Sequence, residues 1–332
     1  MPLAVANTVP SNDQFPVLPF RSTLYDPAEL FDGFDPADPG SYAATPDFRA
    51  YRSTLGIPTR DVGMLRALHD QCITDARDAT AAGRHVVAVM GGHDMPRSSS
   101  AYALVVELAA ALASQDVLVA SGGGPGAMEA THLGAMLSSA GRDERERAVL
   151  QLSVVDRFPG GTRAVVGPDG GLDAERLAEL HAWQRPAFEV LADVAPDVRT
   201  ASLAVPTWFY GHEPPTPFAT HIAKYFSNSL REDGLLAVAA DGVVFAPGRA
   251  GTLQEVFQDA AQNYYRVYGG RFSPMVFLDI DGCWSERFPV GPILRSLFGD
   301  EDHDRHVLVT ADVDAALAFL ASSRATPDLG PA

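Results

Sequence analysis

From His85 onward, short apolar runs alternate with stretches in which apolar residues recur every three to four positions. Runs of this kind, rich in Val, Ile and Leu and closed by Gly, Pro or Asp, predict buried strands, and the periodic stretches predict helices. Strands are expected at Val86–Met90, Val117–Ala120, Val149–Val155, within Ser202–Tyr210, and at Val243–Ala246, Met275–Ile280 and Val307–Thr310. Between them, helices are expected from Ser98-Ser99-Ser100 to about Ala113, from Pro125 in a first helical turn, and from about Asp173 with Leu177, Leu180 and Trp183 buried and Pro186 as a kink or restart. Thr216-Pro217 reads as a cap followed by proline, with Phe218, Ile222, Tyr225 and Phe226 continuing a helical stripe; either Gly234 ends that helix or a short second one runs from Leu235 to Ala240. Further helices are expected from Leu253 to about Val267, Pro292 to Phe298 and Val313 to Leu320. This alternation is the mark of an α/β fold, a doubly wound parallel sheet with helices on both faces.

Before His85 the pattern differs. Residues 1 to about 60 are rich in Pro, Asp and aromatics without a sustained period, and predict an irregular extension lying over the surface. Asp61 to Ala82 predicts one helix, with Val62, Leu65, Leu68, Cys72 and Ala76 on one side and Gly83 at its end. The expected organisation is therefore an N-terminal extension over residues 1–84 and a sheet domain over 85–325, carrying an insertion at about 156–235. Neither a 20- to 50-residue repeat nor a heptad seam is present.

Composition narrows the chemistry. At 332 residues, 46% hydrophobic and 20% charged, the chain can bury a full core. It contains no run of about eighteen apolar residues, and Met1 to Phe20 lacks a basic start followed by an apolar stretch, so a cytoplasmic protein without membrane span or signal peptide is expected. Two cysteines, Cys72 and Cys283, are too few for a disulfide framework. A net charge of −17 argues against a nucleic-acid partner, whose phosphates need many Lys and Arg contacts, but leaves room for one small phosphate held by backbone N–H groups and a single Arg. Lys224 is the only lysine, so a Schiff-base mechanism with pyridoxal phosphate would have to use it.

Two Gly-rich turns follow predicted strand ends. The first, Ser121-Gly122-Gly123-Gly124-Pro125-Gly126, leads into Ala127, Met128 and Glu129; the second, Pro247-Gly248-Arg249-Ala250-Gly251, leads into Thr252-Leu253-Gln254-Glu255. Gly122-x-Gly124-x-x-Ala127 matches a loose dinucleotide fingerprint, with Asp156 as a conceivable ribose ligand. It follows the second strand rather than the first, however, and the dinucleotide plan has no second Gly loop ending in Thr-x-x-Glu. Thr252 and Glu255 share a helix face distinct from Leu253, Val256 and Phe257, which places both toward a ligand above the turn; the same pair also reads as a capping box. In a parallel sheet both loops emerge at the carboxyl edge and can face one crevice. His93-Asp94, His212-Glu213 and Asp302-His303-Asp304 match no chelating spacing, and no metal or other cofactor is expected. Trp208, Phe209 and Tyr210 either stack on a base or belong to the core.

Together, Ser121–Glu129 and Pro247–Glu255 resemble the paired Gly-Gly-Gly and Pro-Gly-Gly-x-Gly-Thr-x-x-Glu motifs of the LOG family. These Rossmann-type proteins, often labelled lysine decarboxylase-like, include cytokinin-activating phosphoribohydrolases and nucleotide 5′-monophosphate nucleosidases. The resemblance spans roughly His85 to Phe298, with Gly91-Gly92 after the first strand and Pro274–Gly282 after the second motif. It implies a Rossmann-like fold, a homodimer or higher homo-oligomer, for which the helix at 61–82 offers one interface, and hydrolysis of a nucleoside monophosphate to free base and ribose 5-phosphate. Its implied site residues are Glu255 beside the ribose, an arginine that is Arg231 or Arg185, and Gly91, Gly92, Ser121, Gly122, Gly123, Gly124, Gly126, Met128, Glu129, Pro247, Gly248, Arg249, Gly251 and Thr252 around phosphate and nucleotide. Two departures stand out: Arg231 is offset by about one residue and followed by Glu232 where the family has lysine, and Arg249-Ala250 replaces the usual Gly and variable residue. Alternatives of other classes are a protein that binds and senses a nucleotide without cleaving it, and an NAD- or pyridoxal-dependent enzyme.

Overall fold

The computed structural model describes residues 15–159, 165–209, 213–267 and 270–325. In chain order it places α1 (Pro27–Leu30), α2 (Pro46–Ser53), α3 (Arg60–Ala81), β1 (His85–Met90), α4 (Ser100–Ser114), β2 (Val117–Ser121), α5 (Ala127–Met136), α6 (Arg142–Leu152), α7 (Ala174–Asp193), β3 (Ser202–Ala204), β4 (His221–Ile222), α8 (Asn228–Val238), β5 (Val243–Phe245), α9 (Ala250–Tyr264), β6 (Met275–Leu278), α10 (Val290–Phe298), α11 (Asp300–His306), β7 (Val307–Thr310) and α12 (Val313–Ala325). Among the described residues seven strands form one sheet in the order β4-β3-β2-β1-β5-β6-β7, and every neighbouring pair is parallel. The chain builds outward from β1 to β4, then returns to lay β5 on the other side of β1. This is a Rossmann-like α/β fold, and β1/β5 is its topological switch point.

Both sheet faces are buried. Along β1, Val86, Ala88 and Met90 enter one core while Val87 and Val89 enter the other; Leu118 and Ala120 of β2 oppose Val117 and Val119 in the same way. That two-sided burial is why the strands read as continuous apolar runs rather than alternating ones.

Several expected elements fall elsewhere. Val149–Val155 is not a strand: α6 covers Arg142–Leu152 and a 3-10 turn follows over Ser153–Val155, with Leu150 and Val154 exposed. The third strand is instead the three-residue β3, paired to β2 through Val119, Ala120 and Ser121. Phe218–Phe226 is not a helix but the turn into the two-residue β4 and the segment beyond it. Strands this short have too few residues to express a period of two. Pro125 precedes α5, whose N-cap is Gly126, and Pro186 lies inside a continuous α7. Gly234 neither ends nor interrupts α8, because Arg77 of α3 crosses there: a Cβ on Gly234 would lie 1.7 Å from Arg77 Nη1.

Residues 15–53 are partly exposed, yet anchored into the core rather than merely laid over it. Phe15, Tyr25, Leu30, Phe31, Tyr42, Phe48 and Tyr51 are buried in the same core as Val86, Ala88 and Met90 of β1. Tyr25 exchanges backbone hydrogen bonds with Ile222 of β4, at 3.0 and 2.8 Å. The helix at 61–82 turns its inner face into its own chain, with His69, Asp70, Ile73 and Arg77 buried and contacts to α8. No described helix is long and apolar enough to cross a membrane.

Candidate functional site

A cleft of about 410 Å³ opens at the carboxyl edge of the sheet, over the switch point. Its walls come from the turns after β1 (Gly91–Asp94), β2 (Gly122, Gly124) and β3 (Pro206, Thr207), and from α8 and the start of α9. Both Gly-rich loops therefore meet in one crevice. Their convergence follows from topology, since every parallel strand delivers its next turn to the same edge.

The second loop carries the anion-binding end. Gly92 N–H donates to Pro247 O at 3.0 Å, joining the β1 and β5 turns. The N-cap of α9 is Arg249, with no side chain capping the helix, so the first-turn N–H groups of Ala250, Gly251 and Thr252 are left for a ligand at the positive end of a four-turn helix. This removes the capping-box reading: Thr252 lies inside the first turn rather than before it. Arg249 reaches from the rim toward Asp94, 3.2 Å away.

The first loop is arranged differently. Gly123 N–H donates to Ser121 Oγ at 3.0 Å and Ala127 N–H to Gly92 O at 3.1 Å, so these donors are spent inside the protein. Ser121 is buried and bonded to His132 Nε2, whose Nδ1 meets Ser202 Oγ, both at 2.9 Å. Burial pushes the His132 pKa down to about 3, so this chain of polar groups holds a neutral imidazole. The loop thus supplies a shaped wall of the cleft through Gly122 and Gly124.

Arg231 ties the walls together. Asp70 of α3 accepts the N–H groups of Phe226 and Ser227, at 3.0 and 2.8 Å, and so sets the start of α8. One turn on, Arg231 Nε donates to Val205 O at 2.8 Å, its Nη1 lies 3.6 Å from Glu255 Oε1, and its other nitrogen sits beside Gly122. Burial, opposed by Arg231 and reinforced by Glu232, raises the Glu255 pKa to about 7. A carboxyl in that range can act as either acid or base near neutrality.

The cleft brings together Gly91, Gly92, Gly122, Gly124, Met128, Arg231, Arg249, Gly251, Thr252 and Glu255. Ser121, Gly123, Gly126, Pro247 and Gly248 stand behind these as the frame of the turns. Two residues lie elsewhere. Glu129 is fully buried, gripped by Arg97 through bonds of 2.8 and 2.6 Å and by Tyr102 Oη at 3.0 Å. Arg185 is half-exposed on α7, facing Glu189 at 3.5 Å. Asp156 caps Ser98 N–H at 2.8 Å, and Lys224 is buried against Asp47 and Trp208 rather than in the cleft. Trp208 is core and Phe209 exposed; Tyr210 and His212 lie outside the described residues.

The cleft also holds Pro206, Thr207, His93, Asp94 and Glu213; the sequence pattern gives the first two no role, and shows the others only as His-Asp and His-Glu pairs without chelating spacing. Pro206 and Thr207 fall inside Ser202–Tyr210, where a strand is expected, and form the turn because β3 ends at Ala204. Among the described residues no three His, Cys, Asp or Glu side chains are grouped to hold a metal ion.

No family model and no curated protein matches the chain. The X-ray structure of TM1055, a structural genomics target, is similar to it at 18% sequence identity, with a TM-score of 0.42, over 71% of this chain and 98% of that one.

Proposed function

We propose that the protein hydrolyses the N-glycosidic bond of a nucleoside 5′-monophosphate, releasing free base and ribose 5-phosphate. The observation that carries this reading is the pairing of Glu255 with Arg231 directly below the uncapped N-terminus of α9. The helix N-terminus and Arg249 take the 5′-phosphate, and that anchorage sets the ribose over the pair. As the base departs, positive charge develops on the ribosyl ring. The ionised carboxylate of Glu255 stabilises it and orients the attacking water, while Arg231 holds the carboxylate in place and favours its ionised form.

A panel of AMP, GMP, CMP, UMP and cytokinin nucleotides, with chromatographic detection of free base, tests the reaction. Release from at least one is expected, and Glu255→Ala should abolish it while leaving the thermal transition intact. A second reading, a nucleotide sensor, draws on Glu232, whose carboxylate faces the cleft where the family has lysine; intact nucleotide recovered from a tight complex would select it. A homo-oligomer belongs to the same proposal, and sedimentation velocity measures it.

A further inference from the structure

We infer that Glu213 is the general acid for the departing base, so that the cleft divides its work between two carboxyls, one at the leaving group and one at the water. This rests on the nucleosidase reading and goes beyond it, because Glu213 belongs to neither Gly-rich motif.

The placement comes from the order of the strands. The phosphate end lies after β5, and the turns after β1, β2 and β3 follow along the same edge. At about 4.8 Å per strand, two strand spacings put the turn after β2 roughly 10 Å from the turn after β5. An extended nucleoside monophosphate anchored at α9 runs in that direction, across Arg231, and delivers its base between Met128, Pro206 and Thr207. Glu213 stands there. A Cβ on Gly124 would lie 3.5 Å from Glu213 Oε2 and 3.0 Å from Met128 Cε, so the carboxyl and the thioether both stand close over the same glycine.

Glu213 is held firmly for a residue outside regular structure. Pro214 and Pro215 follow it and are buried, which confines its backbone to extended conformations. Thr216 N–H then donates to Gly123 O at 2.8 Å, fastening the segment to the first Gly loop. That loop thereby acquires a second role: it braces the segment that carries the acid.

The charged groups facing Glu213 are His93 from the turn after β1, Arg231 from α8 and Lys224 from beyond β4; Asp94, Glu232 and Glu255 share the cleft. Burial outweighs the opposing influence of His93, Arg231 and Lys224 and raises the Glu213 pKa, which favours the protonated carboxyl. In the step itself the C1′–N bond breaks with its electron pair passing to the base, and Glu213 delivers its proton to a ring nitrogen of that base. Water bonds to C1′ and gives its proton to Glu255. Glu213 is left ionised and Glu255 protonated, and exchange with solvent restores both.

The test compares wild type with Glu213→Gln, which keeps the shape and hydrogen-bonding capacity of the side chain. On the natural nucleotide that wild type cleaves fastest, kcat should fall by roughly 10²-fold or more with KM little changed, the size expected of a lost general acid. The alkaline fall of the wild-type pH profile, where Glu213 loses its proton, should vanish in the variant. Nicotinamide mononucleotide, whose base leaves as a neutral molecule without being protonated, should lose far less. Binding of ribose 5-phosphate and an unchanged melting curve confirm an intact site. A persistent alkaline limb, an effect confined to KM, or equal losses on both nucleotides would overturn the role of Glu213 and leave the nucleosidase reading standing. If wild type spares the nicotinamide nucleotide, the pH profile alone decides. Wild-type protein that cleaves no nucleotide would overturn both.

Discussion

Glu129 and Glu255 each close a Gly-rich motif, yet they do opposite things. Glu129 points away from the cleft into a fully buried site where Arg97 and Tyr102 take both of its oxygens. Local spacing could not reveal this, because Arg97 is 32 residues away and its guanidinium also binds the carbonyls of Leu152, Val155 and Trp183. Glu129→Ala would leave Arg97 charged and without its counter-ion. We expect it to cost about 3–5 kcal/mol, the usual penalty for breaking a buried pair, read as a lower urea midpoint; a loss below about 1 kcal/mol would contradict the assignment. Glu255 is legible as functional because it sits one turn into a helix behind a Gly turn. Its pKa of about 7 carries a sign. The working form is the carboxylate, so kcat/KM should rise as pH increases through about 7 and fall away on the acid side. Arg231→Ala removes the charge that favours ionisation, and should move this acid limb upward in pH.

At the level of elements, the sequence locates the strand-turn-helix units and misjudges what faces inward. The apolar stripe of α9 suggests Leu253, Val256 and Phe257 as its core face, yet Phe257 is 46% exposed while Thr252, Asp259 and Asn263 are buried. Asn263 satisfies the backbone of Ser273 with bonds of 2.7 and 3.1 Å, a tertiary partnership that a pattern of apolar residues cannot show. The first Gly loop separates its glycines by purpose. Gly126 has φ +68° and a Cβ there would lie 2.3 Å from Gly92 O, so Gly126→Ala strains the turn itself and should lower stability by at least about 1–2 kcal/mol. Gly122 has no such backbone demand. A Cβ there would instead strike Arg231 Nη2 at 2.1 Å and Met128 Sδ at 2.6 Å. Gly122→Ala should therefore fold, but shift Arg231 off Glu255, with a loss of roughly 10²-fold in kcat/KM as the scale of misplacement by about 1 Å. Equal melting temperatures together with wild-type turnover would refute this.

For the whole molecule, the segment before α3 is where sequence reading departs furthest from the fold, whereas α3 itself falls where the sequence places a helix. Residues 15–53 lack any period because they are a chain of anchors rather than one amphipathic element, with Phe31 and Phe34 packed on Phe188 of α7 and Tyr25 on Trp208. Asp47 is one such anchor, buried, accepting from Lys224 Nζ and, at 2.8 Å, from Trp208 Nε1. Tyr25 is another, covering the edge of β4 and bonding His69 at 2.7 Å. His69 is bonded to Asp70, and Asp70 sets the start of α8 and thus Arg231, so the extension supports the cleft through α3. A chain beginning at Leu55 would expose the β4 edge, open the core beneath it, and strip Lys224 of its ion-pair partner Asp47, the last alone costing about 3–5 kcal/mol. With total stabilities commonly about 5–15 kcal/mol, such a chain should not fold cooperatively. Calorimetry of the full chain and the truncated one decides it, because a sheet domain that is independent of its N-terminal segment would give the same sharp transition in both.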